Sequence, residues 1–215
     1  MISSRLATVG LSAARKPDNG LMTSSDELYI TEIAYETFNQ FSKVYGDRYL
    51  TSNVQILNPA TGQFEYIGAQ YRYFTTPMGT LHLILTNVVT LGLTSRLGLR
   101  IMSFGILYDF TGNSNVSRVI KAATLVQQDW FKNAVNFNQP IDLFVLLGHN
   151  PPRATVGGST FGTIYNAIRY MKPQVPIQVF GGHSHVRDFV VYDDKATGLE
   201  SGNSYSSFRF LSLII

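Results

Sequence analysis

Two apolar runs in the second half of the chain are each followed by glycine and then histidine. Ile141-Asp142-Leu143-Phe144-Val145-Leu146-Leu147 leads into Gly148-His149, and Val175-Pro176-Ile177-Gln178-Val179-Phe180 leads into Gly181-Gly182-His183-Ser184-His185. Short apolar runs bounded by glycine suit buried strands. Between them Phe161, Ile164, Tyr165, Ile168 and Met171 recur at three- and four-residue intervals, which predicts one face of a helix. Strand, helix, strand implies a crossover unit with parallel strands. The carboxyl ends of such strands share one edge of the sheet, where open α/β sheets bind ligands. The pattern therefore brings His149, His183 and His185 to one rim.

The rest of the chain is read in the same way. Ile30, Ile33, Ala34, Phe38, Phe41 and Tyr45 predict a helix over Glu27 to Tyr45, with Gly46 as its stop. Tyr49 to Ile56 and Phe64 to Thr75 are rich in β-branched and aromatic residues, and Asn58-Pro59-Ala60-Thr61-Gly62 between them predicts the turn of a hairpin. Leu99 to Tyr108 is a further strand, followed by the polar loop Asp109 to Asn115. Val119, Ile120, Ala123, Val126, Trp130 and Ala134 then predict a helix over Val116 to Phe137. Phe189 to Tyr192 is a short strand and Asp193 to Gly198 a turn. Met1 to Ser25 shows no clear periodicity and is expected to be loose. Gly79 to Leu97 is apolar, carries no charge before Arg96, fits neither period, and is short for a bilayer span.

Composition narrows the class. The 215 residues are 45% apolar and 14% charged, a globular balance, and one domain is the default. The net charge of +3 is spread without a basic cluster or stripe, which argues against a nucleic-acid partner. Cysteine is absent, so disulfides, thiol catalysis and Cys-ligated zinc are excluded, while the compartment stays open. Met1 to Asn19 lack the apolar core of a secretory signal, and no segment reads as a membrane span. Secreted, vacuolar and cytosolic destinations remain in play.

The chemistry rests on the histidines. His183 and His185 alternate by one residue, so in an extended segment both rings would point to one face. A His-x-His on its own is an ordinary surface loop; joined to a Gly-His on the neighbouring strand it suits a divalent Zn, Mn or Fe ion, which neutral imidazoles bind. Asn150, Asn113 and Arg187 are candidates for substrate contact. Each has a structural alternative: a turn for Asn150 beside Pro151, loop capping for Asn113, and an ion pair between Arg187 and Asp188. Asp109 is read as a cap or pocket residue, Glu27 as a carboxylate at a helix N-terminus, and Trp130 as core.

Gly182-His183-Ser184-His185 resembles the last motif, G-H-x-H, of the calcineurin-like metallophosphoesterases, and Leu147-Gly148-His149 resembles the histidine motif before it. The run Gly182 to Asp188, with Glu27-Leu28-Tyr29 upstream, resembles a fungal branch related to 5′-nucleotidases. The resemblance covers Glu27 to Gly79 and Leu97 to Gly202. It implies a metallophosphoesterase-like αββα sandwich, here incomplete and holding the second half of the domain. It also implies two divalent metals and hydrolysis of a phosphoester small molecule such as a nucleotide. By resemblance, His149 and His183 are ligands of one metal and His185 of the other.

The family's leading motifs are not found. There is no D-x-H; Gly46-Asp47 is followed by Arg48-Tyr49-Leu50 rather than by a second aspartate; and Ser24-Ser25-Asp26-Glu27 stands in place of G-N-H-E. Two expectations follow. One is a phosphoester hydrolase with an incomplete dinuclear site and low or no activity. The other is a non-catalytic remnant or binding module of the same fold. Cutting out Gly79 to Leu97 restores continuity with the resembled family, so that segment is expected to be an aberrant insertion and residues 203–215 an aberrant tail.

Overall fold

The computed structural model describes residues 31–77 and 98–202. In chain order it contains a helical run over residues 31–48, then β1 (Val54–Leu57), β2 (Phe64–Tyr66), β3 (Arg72–Thr75), β4 (Arg100–Gly105) and β5 (Ser117–Val119). Next come the short helices α1 (Ala122–Leu125) and α2 (Asp129–Val135), then β6 (Leu143–Leu147), α3 (Phe161–Met171), β7 (Ile177–Gly181), β8 (Arg187–Asp193) and β9 (Ala196–Ser201).

These strands form a six-stranded sheet in the order β3-β4-β6-β7-β9-β8 and a three-stranded sheet in the order β2-β1-β5. In the larger sheet β4, β6, β7 and β9 are mutually parallel, while β3 and β8 run antiparallel at the two edges. The central strands β4 and β6 are buried on both faces, which explains why they read as largely apolar runs, whereas β9 alternates between buried and half-buried positions. On one face Met102, Phe104, Phe144, Leu146, Ile177 and Val179 pack with Leu125, Phe131, Phe161, Ile164 and Ile168 in one buried core. On the other face Ile101, Leu143 and Val145 form a smaller cluster with Phe74, Leu99 and Leu147.

The crossover is as the spacing predicts. β6 and β7 are parallel neighbours, with Phe144 opposite Ile177 and Leu147 opposite Phe180, and α3 buries Phe161, Ile164 and Ile168. The helix expected to end at Gly46 is present from residue 31; it contains a π-helical stretch, Thr37–Phe41, and Gly46 takes a positive φ of 54° at the break.

Four expectations are corrected. Asp193 to Gly198 is not all turn, since β9 begins at Ala196 and pairs with both β7 and β8. Val116 to Phe137 is not one helix. Ser117–Val119 is extended and pairs with β1, with Val54 opposite Val119, and helix begins only at Ala122. Asp109 accounts for the break: its Oδ1 accepts the Ala122 backbone N–H at 2.7 Å and so sets the start of α1. The β-branched Val119 is held by packing in the small cluster around Tyr49, Val54, Ile56 and Ile67, so tertiary contact overrides a helical spacing. The apolar stretch Phe64 to Thr75 is not one strand either. β2 completes the hairpin with β1, whereas β3 joins the other sheet beside β4. Finally, Tyr49 to Asn53 does not extend β1. Thr51, Ser52 and Asn53 are buried polar residues that stitch the two sheets together.

That seam is fully bonded. Asn53 Oδ1 accepts the Leu107 N–H at 2.9 Å, and its amide nitrogen donates to the carbonyls of Leu107 at 2.7 Å and Ile120 at 3.2 Å. Ser52 Oγ accepts the Gly105 N–H at 2.9 Å and donates to the Gln70 carbonyl. Thr51 Oγ1 accepts the Gly68 N–H at 2.7 Å. Gly68 and Gly105 are required here, because a Cβ would sit 2.4 Å from the Tyr49 carbonyl oxygen and 2.3 Å from that of Leu50, respectively. Residues 1–30, 78–97 and 203–215 lie outside the described residues. With them lie the expectations placed on Met1 to Ser25, Asp26, Glu27, the insertion at Gly79 to Leu97 and the tail.

Candidate metal centre at the carboxyl rim

Each of the four parallel strands delivers polar or aromatic chemistry to the same edge. β4 is followed by Tyr108, β6 by His149, β7 by His183, and β9 carries Glu200 near its carboxyl end. Gly148 lets the chain after β6 pass close to the chain after β4, since a Cβ there would lie 1.8 Å from the Ile106 carbonyl oxygen. Backbone bonds lock the rim: Tyr108 N–H to the His149 carbonyl at 3.3 Å, Gly148 N–H to the Phe180 carbonyl at 3.0 Å, and Gly182 N–H to the Asn150 carbonyl at 3.0 Å.

The rings of His149 and His183 meet. Nε2 of His149 lies 2.9 Å from Nδ1 of His183, with ring centroids 4.8 Å apart and the planes nearly perpendicular at 81°. One ring must donate and the other accept, so the pair cannot be doubly protonated without losing this bond. Burial comes first in holding His149 below the usual imidazole range, followed by the charges that His183 and His185 would carry. A neutral imidazole is the form that binds a metal. Two nitrogens bound to one zinc at about 2.1 Å each, at the tetrahedral angle, stand about 3.4 Å apart; the 2.9 Å pair is near that spacing, and an ion shared by the two rings would replace the N–H···N bond between them. Among the described residues, no group of three His, Asp or Glu side chains comes together to hold an ion.

His183 and His185 do not sit in an extended segment. Both have positive φ, 89° and 60°, in the region that side chains other than glycine's rarely occupy. The expected common face for the two rings is therefore corrected: the loop is wound, His185 is exposed, and its backbone N–H donates to Glu200 Oε1 at 3.0 Å. Left-handed backbone at non-glycine residues costs on the order of 1 kcal/mol each and collects at functional sites.

The three candidate substrate contacts have structural partners or none. Asn150 is fully buried; its side chain accepts the Thr160 N–H at 3.0 Å and donates to Thr160 Oγ1 at 2.7 Å, fixing the entry to α3. Asn113 donates to the Ser117 carbonyl at 2.6 Å and closes the loop before β5. Arg187 is exposed, and Asp188 pairs with Arg153, through bonds of 2.8 and 2.6 Å, instead of with Arg187. Trp130 packs against the core beside Tyr71, Phe104 and Phe131.

Two rim residues escaped the sequence reading. The Tyr108 ring lies 4.4 Å from that of His183 and 6.1 Å from that of His149, walling the pair on the β4 side, and burial pushes its phenol above the usual range. Its signal was available: β4 is parallel to β6, so its carboxyl end had to reach the same rim. Glu200 is 4% exposed and carries the only buried side-chain oxygen or nitrogen without a hydrogen-bond partner among the described residues, Oε2. In sequence it looks like an ordinary polar residue after a turn.

A six-stranded mixed sheet with helices over its face makes this a mixed α/β fold, similar to that of a solved structure of the metallophosphoesterase class. The particular solved structure it resembles is a 5′-nucleotidase from Candida albicans, with a TM-score of 0.66 and 33% identity over 80% of this chain and 27% of that one. The chain is also 51% identical over 193 residues to a protein of Arthroderma benhamiae named "Secreted protein". It is 32% and 31% identical to uncharacterized proteins of Schizosaccharomyces pombe and Saccharomyces cerevisiae. It covers 90%, 92% and 91% of its own length in these matches but spans only 26%, 29% and 30% of the relatives. No family model matches it. No helix among the described residues is long and apolar enough to cross a membrane.

Proposed function

We propose that this chain carries the histidine side of a metal-dependent phosphoester hydrolase acting on a small molecule such as a nucleotide. The observation that supports this is the 2.9 Å approach of His149 to His183 at the ends of adjacent parallel strands, in a fold whose solved neighbour is named a 5′-nucleotidase. His149 and His183 would hold one divalent ion, Zn, Mn or Fe. His185, on the same loop, is proposed as a donor toward a second. Such an ion, when bound, supplies Lewis acidity to a phosphoryl oxygen.

The chain's own residues prepare that site. Burial keeps His149 neutral and available as a donor. Tyr108 covers one side of the His183 ring and limits water there. The Asn150–Thr160 bonds tie the turn after His149 to the start of α3. A secreted destination is proposed from the name of the Arthroderma relative.

The second reading, a binding module without catalysis, is favoured by one observation: no three donor side chains converge among the described residues. Hydrolysis of p-nitrophenyl phosphate and of a nucleoside monophosphate with added Mn²⁺ or Zn²⁺ separates the two. Turnover that is lost in His183→Ala supports the hydrolase. Ion binding without turnover supports the module. Neither binding nor turnover in the folded protein would sink both.

A further inference from the structure

We infer that Glu200 is a positioning residue of the histidine rim, a role that rests on the metal-site reading just proposed. β9 lies between β7 and β8 in the sheet. The loop that leaves β7 and enters β8 must therefore cross over the end of β9. Glu200 stands at that end, opposite Gly181 on the β7 side and Asp188 on the β8 side. It is thus placed under the five residues 182–186 that contain both loop histidines.

Its carboxylate is 4% exposed, and its Oε1 accepts the His185 backbone N–H at 3.0 Å. This bond ties the left-handed His185, φ 60°, to the sheet, two residues from the left-handed His183, φ 89°. A hydrogen bond to a carboxylate is among the stronger ones, and here it offsets part of the backbone strain. The other oxygen, Oε2, is buried and has no partner. Leaving a buried polar oxygen unpaired is costly, so it is a position kept for a donor. Imidazoles that bind metals usually donate their remaining N–H to a carboxylate or carbonyl, which fixes the tautomer and raises donor strength. Oε2 belongs to the carboxylate that already holds the histidine loop, so the structure assigns it as the acceptor for an imidazole N–H of that loop when the rim is loaded.

The test compares the full chain with Glu200→Gln and Glu200→Ala, with circular dichroism as the check on folding. Gln keeps a carbonyl oxygen for the His185 N–H but presents an NH₂ where Oε2 stood; Ala loses both. Two readouts are taken: Mn²⁺ affinity by calorimetry, and the imidazole ¹H–¹⁵N spectrum, which reports tautomer and N–H protection. Outer-shell partners of this kind are worth about 10- to 100-fold in metal affinity. The expected result is a loss of about 10-fold in Glu200→Gln and more in Glu200→Ala, with a protected imidazole N–H that appears in the wild type on loading with Zn²⁺ and is missing in both variants. Unchanged affinity and an unchanged imidazole spectrum in Glu200→Gln overturn the assignment. If the wild type binds no metal and the imidazole signal still depends on Glu200, the positioning role stands and the metal reading falls.

Discussion

Two buried polar side chains near the carboxyl side of the large sheet have opposite outcomes. Asn53, fully buried, spends its amide on three backbone groups of Leu107 and Ile120. Glu200, 4% exposed, uses one oxygen and leaves the other bare. Around Asn53 the chain is relaxed and the polar groups are matched; around Glu200 two histidines hold left-handed backbone and two imidazoles lie within hydrogen-bond distance. A matched polar seam is architecture, because removing one partner strands the others. A strained, half-matched loop costs stability for geometry that packing alone does not require, which is the signature of a site.

The largest effect expected from this contrast is at the seam. Asn53→Ala would strand the Leu107 N–H and the carbonyls of Leu107 and Ile120, and should cost about 3–5 kcal/mol of unfolding free energy. Urea denaturation measures it, and a loss below about 1 kcal/mol would mean the seam does not hold the sheets together. The rim should respond in the other direction. His185→Gly removes the left-handed strain while keeping the N–H that Glu200 accepts, so it should raise stability by up to about 1 kcal/mol. A clear loss of stability there would show that the loop is not strained.

A smaller effect is expected between β3 and β4. Thr76 N–H donates to the Leu99 carbonyl at 2.9 Å, and the Leu99 N–H donates to Thr76 Oγ1 at 2.9 Å. The two strand ends are therefore already closed on each other. Deleting residues 79–97 leaves Pro77-Met78-Gly98 as a three-residue hairpin loop with glycine at its last position, a common connection. We propose that this segment is not needed for the fold: the deletion variant should unfold within about 1 kcal/mol of the full chain. A deletion variant that does not fold would refute this.

The smallest effect lies at the amino-terminal edge of the parallel strands. Asp142 accepts from the Arg100 side chain and from the Arg100 backbone N–H at 2.8 Å. The Arg100 guanidinium, first among the causes, holds this carboxyl below the usual carboxylate range. A depressed folded value means the contribution is complete above the unfolded value of about 3.9 and fades as pH falls through the lower folded one. Asp142→Asn should lower stability slightly near neutrality, where the contribution is complete, and flatten the acid limb of a stability-against-pH curve, so that variant and wild type converge as pH falls through the depressed folded value. The pair is partly exposed, so the change is small.

The crossover was legible because its signals are local. Ile141 to Leu147 and Val175 to Phe180 are short, apolar and bounded by glycine, and Phe161, Ile164 and Ile168 repeat at helical spacing. The meeting of His149 with His183 followed from parallel strands alone. What was not legible depends on distant partners. Val119 has helical spacing but pairs with Val54 across sixty-five residues. Phe64 to Thr75 reads as one strand because nothing local marks Gly68, which packs against Tyr49, as the point where the chain changes sheets. The left-handed His185 is held through its backbone N–H by Glu200, fifteen residues further on, which no motif includes.

The central claim is that His149 and His183 act as one donor pair. Cobalt(II) titration, followed by its visible absorption bands, tests it in the wild type, His149→Ala, His183→Ala and the double variant. Because the two nitrogens would share a single ion, each single variant should lose nearly as much affinity as the double variant, with the folds intact. Two independent and additive losses, or wild-type binding that neither substitution alters, would contradict the account.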